Sequence, residues 1–437
     1  MASHRFASRL LIFSTALLLS ACGSRSALQG GDASSSDGGA GGGTSGTTST
    51  TTTGPLSCDG LTAQPNWLVV LAQKVTKPQL AAFPGTKDAF VAALSVDFED
   101  QWISTMRLTD PWSTWPPVAT GGKVADQMDD FVMSTGPQGP IALVKLPTAS
   151  PTVFRYDPST FAFEEEAFLS LQSGEPLFVA EIQGRTLGAT GLTFSQFHEL
   201  SIGSLQPGNL PQGEQPLLCT KTRTLADAVP SGTGFLAAIA EVDPIENDCI
   251  AGPDKAAALR VMVRRYESPS APGSFVEMTL GDGVSNSEPI ARLAMSPASF
   301  GAWVVFQTDG STSEQMPAIE AFAVDQKGHI LSPKGQFAVS PEGIDWPHLA
   351  AATVFGDRIA VAHVETFDTS APEIVIEMYD ANGAKGPSIS IPTGDSWLGG
   401  RIDMLPSPDG RSLLVAWEVS QDQPRMALTR VDCLTAL

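Results

Sequence analysis

An apolar run of six or seven residues that returns seven times is what most constrains this chain. The runs are Phe90 to Val96, Ile141 to Leu146, Thr186 to Leu192, Phe235 to Glu241, Ala302 to Gln307, Ile359 to Val364 and Leu413 to Glu418. Each follows a turn and precedes a polar loop and another strand-like segment. Their centres recur every roughly 45 to 66 residues, near 54 on average, a period that fits a four-stranded propeller blade with generous loops. Long amphipathic helical patterns are absent, and 41 Gly and 33 Pro punctuate short Val, Ile, Phe and Leu segments. Both features favour strands joined by turns. The expected fold is all-β, a seven-bladed β-propeller. Six or eight blades, or a pair of β-sandwich domains, remain as alternatives. The widest gap, between the fourth and fifth runs, holds Cys249 and Gly252-Pro253-Asp254 and reads as an insertion.

The last two repeats show an internal order. His348 to Val354, Arg358 to Glu365, Glu373 to Tyr379 and Pro387 to Ile391 read as four strands, with turns at Phe355-Gly356-Asp357 and Asp380-Ala381-Asn382-Gly383. The seventh repeat runs Arg401 to Leu405, Ser412 to Glu418 and Met426 to Asp432, and then lacks an outer strand. Asn66 to Ala72 is free to supply one and so close a ring. That closure places Cys58 beside Cys433. An exported chain meets an oxidising compartment, where an even cysteine set tends to pair. Of three possible connectivities, Cys58 with Cys433 and Cys219 with Cys249 are favoured. No two cysteines stand at metal-ligand spacing.

The turn Ser407-Pro408-Asp409-Gly410-Arg411, followed by Leu413-Leu414-Val415, resembles the turn of TolB-type WD40-like repeats of bacterial β-propellers. The motif occurs cleanly once, so the resemblance bears on fold and carries no functional residue across. A second resemblance lies at the start of the chain. Arg5 and Arg9, an apolar run from Leu10 to Leu19 and the sequence Leu19-Ser20-Ala21-Cys22 resemble a bacterial lipoprotein signal peptide and its lipobox. This implies cleavage of residues 1–21 and lipidation of Cys22. With Gly23 and Ser24 following and no aspartate there, the resemblance favours the outer membrane of a two-membrane cell envelope. Residues 22–56 are Gly-, Ser- and Thr-rich and bury too little apolar surface to fold, so they read as a tether. About 34 such residues reach roughly 30 to 35 Å. Residues 57–437 then form the propeller domain.

Net charge is −21, and loss of Arg5 and Arg9 makes it more negative still. Nucleic acid is therefore a poor partner. No Gly-x-Ser-x-Gly elbow, His-Glu-x-x-His site or phosphate-binding Gly-x-x-x-x-Gly-Lys loop is present. Gly394-Asp395-Ser396-Trp397 superficially resembles an esterase nucleophile block but lacks the histidine that must follow. His198 precedes Glu199. His348 and His363 flank one turn, with Glu365 on the same strand face as His363. Acidic residues bunch at Asp97, Glu99 and Asp100 and at Asp126, Asp129 and Asp130, without the spacing of a calcium loop. No catalytic residue, metal site or cofactor is assigned, and the enzyme question leans towards no. Trp112 and Trp115, in a proline-rich loop, are candidate ligand contacts, and Trp102 joins them as an indole of interest. Trp303, Trp346, Trp397 and Trp417 read as blade-interface residues.

The expectation is a lipid-anchored binding or scaffolding module of the cell envelope, attached to membrane through Cys22 and contacting an envelope protein or glycan. Two alternatives stand beside it: a glycan-directed hydrolase or lyase using channel carboxylates, and an envelope assembly component.

Overall fold

The computed structural model describes residues 58–434 apart from 70–73, 98–99, 127, 148–149, 158–161, 169–173, 183–184, 195–196, 206–210, 221–224, 232–233, 243–258, 269–270, 277–289, 309–317, 332–336, 340–347, 357, 366–372, 394–401 and 420–424. Cys22 and the expected tether lie outside these residues.

Two short strands, β1 (Gly60–Ala63) and β2 (Trp67–Val69), precede six four-stranded meanders. Sheet 1 holds β3 (Lys74–Ala82), β4 (Ala89–Asp97), β5 (Asp100–Thr109) and β6 (Val118–Asp126). Sheet 2 holds β7 (Asp130–Gly136), β8 (Gly139–Lys145), β9 (Thr152–Asp157) and β10 (Ala162–Phe168). Sheet 3 holds β11 (Glu175–Ile182), β12 (Arg185–Phe194), β13 (Phe197–Leu205) and β14 (Pro211–Thr220). Sheet 4 holds β15 (Leu225–Ser231), β16 (Gly234–Val242), β17 (Leu259–Ser268) and β18 (Ala271–Val276). Sheet 5 holds β19 (Ile290–Ala298), β20 (Gly301–Thr308), β21 (Ile319–Asp325) and β22 (Phe337–Ala338). Sheet 6 holds β23 (His348–Phe355), β24 (Arg358–Glu365), β25 (Glu373–Tyr379) and β26 (Lys385–Pro392). Sheet 7 joins β27 (Ile402–Pro406), β28 (Ser412–Val419) and β29 (Arg425–Leu434) to β1 and β2.

The first strands, β3, β7, β11, β15, β19, β23 and β27, touch one another in that order, and β27 returns to β3. The sheets therefore stand around one axis as a β-propeller, with first strands innermost. Two independent β-sandwiches would not close in this way.

Every recurring apolar run is the second strand of a sheet. Its continuous hydrophobicity has a direct cause: sheets stack face to face, so second strands are covered on both sides. In β24, Ala360, Ala362 and Val364 pack towards sheet 7, whereas Ile359 and Val361 pack towards sheet 5. In β4, Val91 and Ala93 face sheet 7 while Phe90, Ala92 and Leu94 face sheet 2. Alanine is frequent here because two packed sheets leave little room for larger side chains on every row. Trp303 and Trp417 are fully buried between sheets. Trp346 and Trp397 lie outside the described residues.

Closure follows the expectation in part. The predicted outer strand over Asn66 to Ala72 is instead two pieces, because Pro65 has no N–H to give the ladder. β1 pairs with the end of β29 (Leu61 opposite Cys433), and β2 pairs with its beginning (Leu68 opposite Ala427). Cys58 and Cys433 form the disulfide that joins the two ends of the domain across a sequence separation of 375. Cys219 lies in β14, and its suggested partner Cys249 falls outside the described residues.

Candidate functional site

Antiparallel meanders give the ring two ends. At the turn end, first and second strands meet in short links whose glycines adopt left-handed backbone. Gly301 has φ 152°, Gly356 66° and Gly410 67°. Neighbouring sheets bring these turns together: a Cβ on Gly139 would meet Phe83, and one on Gly410 would meet the backbone N of Gly356. In the Ser407 turn, Gly410 N donates to Ser407 O, and Ser407 Oγ accepts from the N–H groups of Arg411 and Ser412. At the opposite end second strands finish and third strands begin; residues 243–258, 277–289, 309–317, 366–372 and 394–401 lie outside the described residues. In sequence these segments are rich in Asp and Glu, among them Asp243, Glu246, Asp248, Asp309, Asp368 and Asp395.

Between the two ends, polar side chains on the innermost strands serve the ring itself. Asp403 Oδ2 accepts the Leu80 N–H from sheet 1 at 2.7 Å, and Asp227 Oδ2 accepts the Met295 N–H from sheet 5 at 2.7 Å. Gln79 grips sheet 2 twice, donating Nε2 to Phe131 O and accepting the Met133 N–H at Oε1. Ser296 Oγ accepts from Val354 N–H, and Thr135 Oγ1 from Ala82 N–H. An innermost strand has no strand partner on its channel side, so its free N–H groups need acceptors. These stitches were not anticipated from sequence. Their signal is visible in retrospect, since Asp403 and Asp227 open the matching sequences Asp-Met-Leu-Pro-Ser and Asp-Ala-Val-Pro-Ser.

One inner-strand residue departs from this pattern. Lys77 has φ 52°, left-handed backbone that a lysine adopts only at a cost of about 1–3 kcal/mol. It sits where β3 bulges against β4, between the pairs Thr76–Leu94 and Gln79–Ala92. Pro78 follows and withdraws an N–H from that stretch. The Lys77 Nζ reaches Asp130 Oδ1 at 2.8 Å, and the same oxygen accepts the Phe131 N–H. Asp130 begins β7, so the pair lies on the half of the inner ring away from the tight turns. Asp129 beside it is exposed. Trp102, near the start of β5 and so at this end of sheet 1, is half-buried and donates Nε1 to Ser104 Oγ at 3.0 Å.

Among the described residues, the most strongly perturbed ionisable groups are elsewhere, between sheets 5 and 6. Glu377 is 3% exposed. Burial alone would raise its pKa, but His363, Lys385 and Tyr379 around it outweigh that and hold it at about 2. Tyr379 O–H lies 2.5 Å from Glu377 Oε2 and 2.7 Å from Val339 O, and the Lys385 ammonium bonds Glu377 Oε1. Burial and the adjacent carboxylate push the Tyr379 phenol up. His363 is fully buried with Nε2 3.7 Å from Glu377 Oε2, outside hydrogen-bond distance. Near neutrality a carboxyl held far down stays ionised and a phenol pushed up stays protonated. The cluster suits cohesion of two sheets and is unsuited to proton transfer.

The remaining sequence candidates are distributed as follows. Trp115 donates Nε1 to Pro65 O at 2.8 Å and meets Trp67 edge-on at 6.3 Å between ring centres. Both Trp112 and Trp115 are half-buried against the core between sheets 7 and 1, and Arg430 Nη1 donates to the Trp112 carbonyl. His348 stands opposite Val364, one register step from His363, and His363 faces Glu377 instead. His198 pairs with Thr193 and Thr220 along sheet 3. Glu99 and the Ser396 segment lie outside the described residues. Among those described, no three His, Cys, Asp or Glu side chains gather as metal ligands.

No protein-family model matches the sequence, and no curated protein matches it. Solved structures do resemble its fold. The polysaccharide lyase Uly1 aligns with TM-score 0.51 at 6% identity, covering 85% of this chain and 92% of its own. An α-L-arabinanase from Penicillium chrysogenum, complexed with arabinobiose, aligns at 0.46 and 11% identity over 87% and 99%. The β-propeller domain of the Trilobed protease from Pyrococcus furiosus aligns at 0.47 and 9% over 83% and 95%. The likeness to Uly1 concerns fold.

Proposed function

We propose that this chain is a glycan-directed propeller of the bacterial cell envelope, acting as a hydrolase or lyase at the end of the ring away from the tight turns. In this reading each of the seven sheets is one blade, and a lipid on Cys22 holds the domain near a membrane. The single observation that carries the site is the strained Lys77 paired with Asp130. Left-handed lysine backbone on an inner strand is retained at an energetic cost, and such cost is commonly tolerated where a side chain must be aimed. An ammonium beside a carboxylate offers a donor and an acceptor, which suits neighbouring sugar hydroxyls. An indole at the same end offers a flat apolar face for a sugar ring. The architecture is shared with a polysaccharide lyase over most of both chains, which is consistent with this substrate class.

A non-catalytic envelope binding module is the second reading. It is favoured by the inner-strand carboxylates Asp403 and Asp227, both bonded to backbone N–H groups of the next sheet. Incubating the full chain with a panel of neutral and uronate-containing polysaccharides separates the two. New reducing ends mark hydrolysis, and absorbance from an unsaturated uronate marks elimination. Retention on a polysaccharide without product supports the second reading, and neither retention nor product refutes both.

A further inference from the structure

We infer that the outer strand of sheet 7 is a two-part clasp, whose first half is held by the Cys58–Cys433 disulfide and peels away on reduction while the second half stays latched. The two halves are secured by different chemistry. All four residues of β1 are only partly buried, and it adds a short edge to β29. A ladder of that length on an open edge is marginal by itself. Leu61 and Ala63 pack against the rim of the core between sheets 6 and 7, and the covalent bridge at Cys58, two residues before Gly60, pins the start of the strand, with Cys433 opposite Leu61. In β2, by contrast, Val69 is buried and Trp67 packs into the core between sheets 7 and 1. Around β2, Trp115 Nε1 donates to Pro65 O, and Asn66 Nδ2 donates to Pro392 O of sheet 6 at 2.8 Å. Gln64, at the junction, donates its N–H to Arg430 O and accepts from Thr429 Oγ1 at 2.6 Å. None of these contacts depends on the disulfide. Pro65 interrupts the ladder between the halves, so opening of one need not pass to the other.

The opening step requires a dithiol reductant. Its thiolate attacks Cys433 Sγ, the less buried sulfur, and Cys58 leaves as a thiolate and takes up a proton. The second thiol of the reductant then displaces Cys433, leaving two protein thiols and one oxidised reductant, a transfer of two electrons and two protons. Residues 58–63 are then free to leave β29.

Hydrogen exchange read by mass spectrometry on the full chain, oxidised and in dithiothreitol, tests this. Amides of 59–63 should exchange at least tenfold faster after reduction, with 67–69 unchanged. A Cys58→Ser/Cys433→Ser variant should behave like the reduced protein, which separates the effect from Cys219 and Cys249. If that variant does not fold, reduction of the folded wild type still gives the comparison. Oxidised Trp115→Phe should give the mirror pattern, with 67–69 faster and 59–63 protected. Unchanged protection at 59–63 on reduction, or equal loss at 59–63 and 67–69, overturns the two-part clasp.

Discussion

At the turn end of the ring, the links between first and second strands give left-handed backbone to glycine at Gly301, Gly356 and Gly410, while in the link between the third and fourth strands of sheet 1 it falls on Asp110 (φ 40°), whose short carboxylate accepts the Ser113 N–H. At the opposite half of the inner ring the same kind of backbone falls on Lys77, a residue with a side chain to aim. Glycine meets the geometric demand at little cost, whereas lysine meets it with strain. The difference teaches that the tight links relax their backbone with glycine or a short acid, whereas the bulge in β3 keeps a long charged side chain at the same kind of backbone. Ionisable groups divide in the same way. Near the turn end, the Asp325 carboxylate, although burial opposes its charge, is held below its usual range by N–H groups of His329 and Lys327. Near the other end, Asp130 holds an ammonium that is one-third exposed.

Five substitutions test the contrast in order of expected effect. Gly301→Ala should be the most damaging. Its Cβ would stand 2.3 Å from Val324 O, with φ 152° unfavourable besides. A loss of roughly 4 kcal/mol in denaturant unfolding is expected, and a loss below 1 kcal/mol would remove the claim that turn-end glycines are obligatory. Glu377→Gln comes next, at about 3 kcal/mol near pH 7, from the difference between a folded pKa of about 2 and the ordinary 4.5. Because the folded value is depressed, this stabilisation is complete above about pH 4.5 and fades as pH falls towards 2. The variant should show a flatter acid limb than wild type, and identical limbs would place the acid sensitivity elsewhere. Asp403→Asn, which weakens the acceptor for Leu80 N–H, should cost about 1–2 kcal/mol. Asp227→Asn should match it if the two stitches are equivalent, and a twofold mismatch would break the equivalence. Lys77→Gly should change stability least, since relief of the backbone offsets loss of a partly exposed ion pair worth up to about 1 kcal/mol. A large destabilisation there would make Lys77 a structural residue and dissolve the contrast.

Much of the fold was legible because propeller packing imposes its own signal. Second strands covered on both faces must be continuously apolar, so Phe90–Val96 and its six counterparts stand out in the sequence. Loop 110–117 was legible only in part. Pro111 and Pro116 mark it as irregular, but nothing local says that Trp115 reaches back to Pro65, 50 residues earlier. The divided clasp was hidden for a similar reason: Asn66 to Ala72 reads as one strand, and the contribution of Gly60–Ala63 depends on a partner near the far end of the chain. Glu377 and His363 were hidden by register. In sequence His363 pairs with His348 across a turn, whereas its neighbour in the fold, Glu377, comes from the following strand. Lys77 offered no sequence signal beyond the proline after it, because backbone strain is a property of the closed ring.

The central claim is that the strained lysine on the inner ring serves a glycan. Wild type and Lys77→Gly can be compared on the same polysaccharide panel, with thermal unfolding measured in parallel. The prediction is that wild type retains or cleaves at least one polysaccharide, and that Lys77→Gly loses at least tenfold of that activity with a melting temperature within 2 °C or so of wild type. Equal glycan activity in the two proteins, or none in wild type, contradicts it.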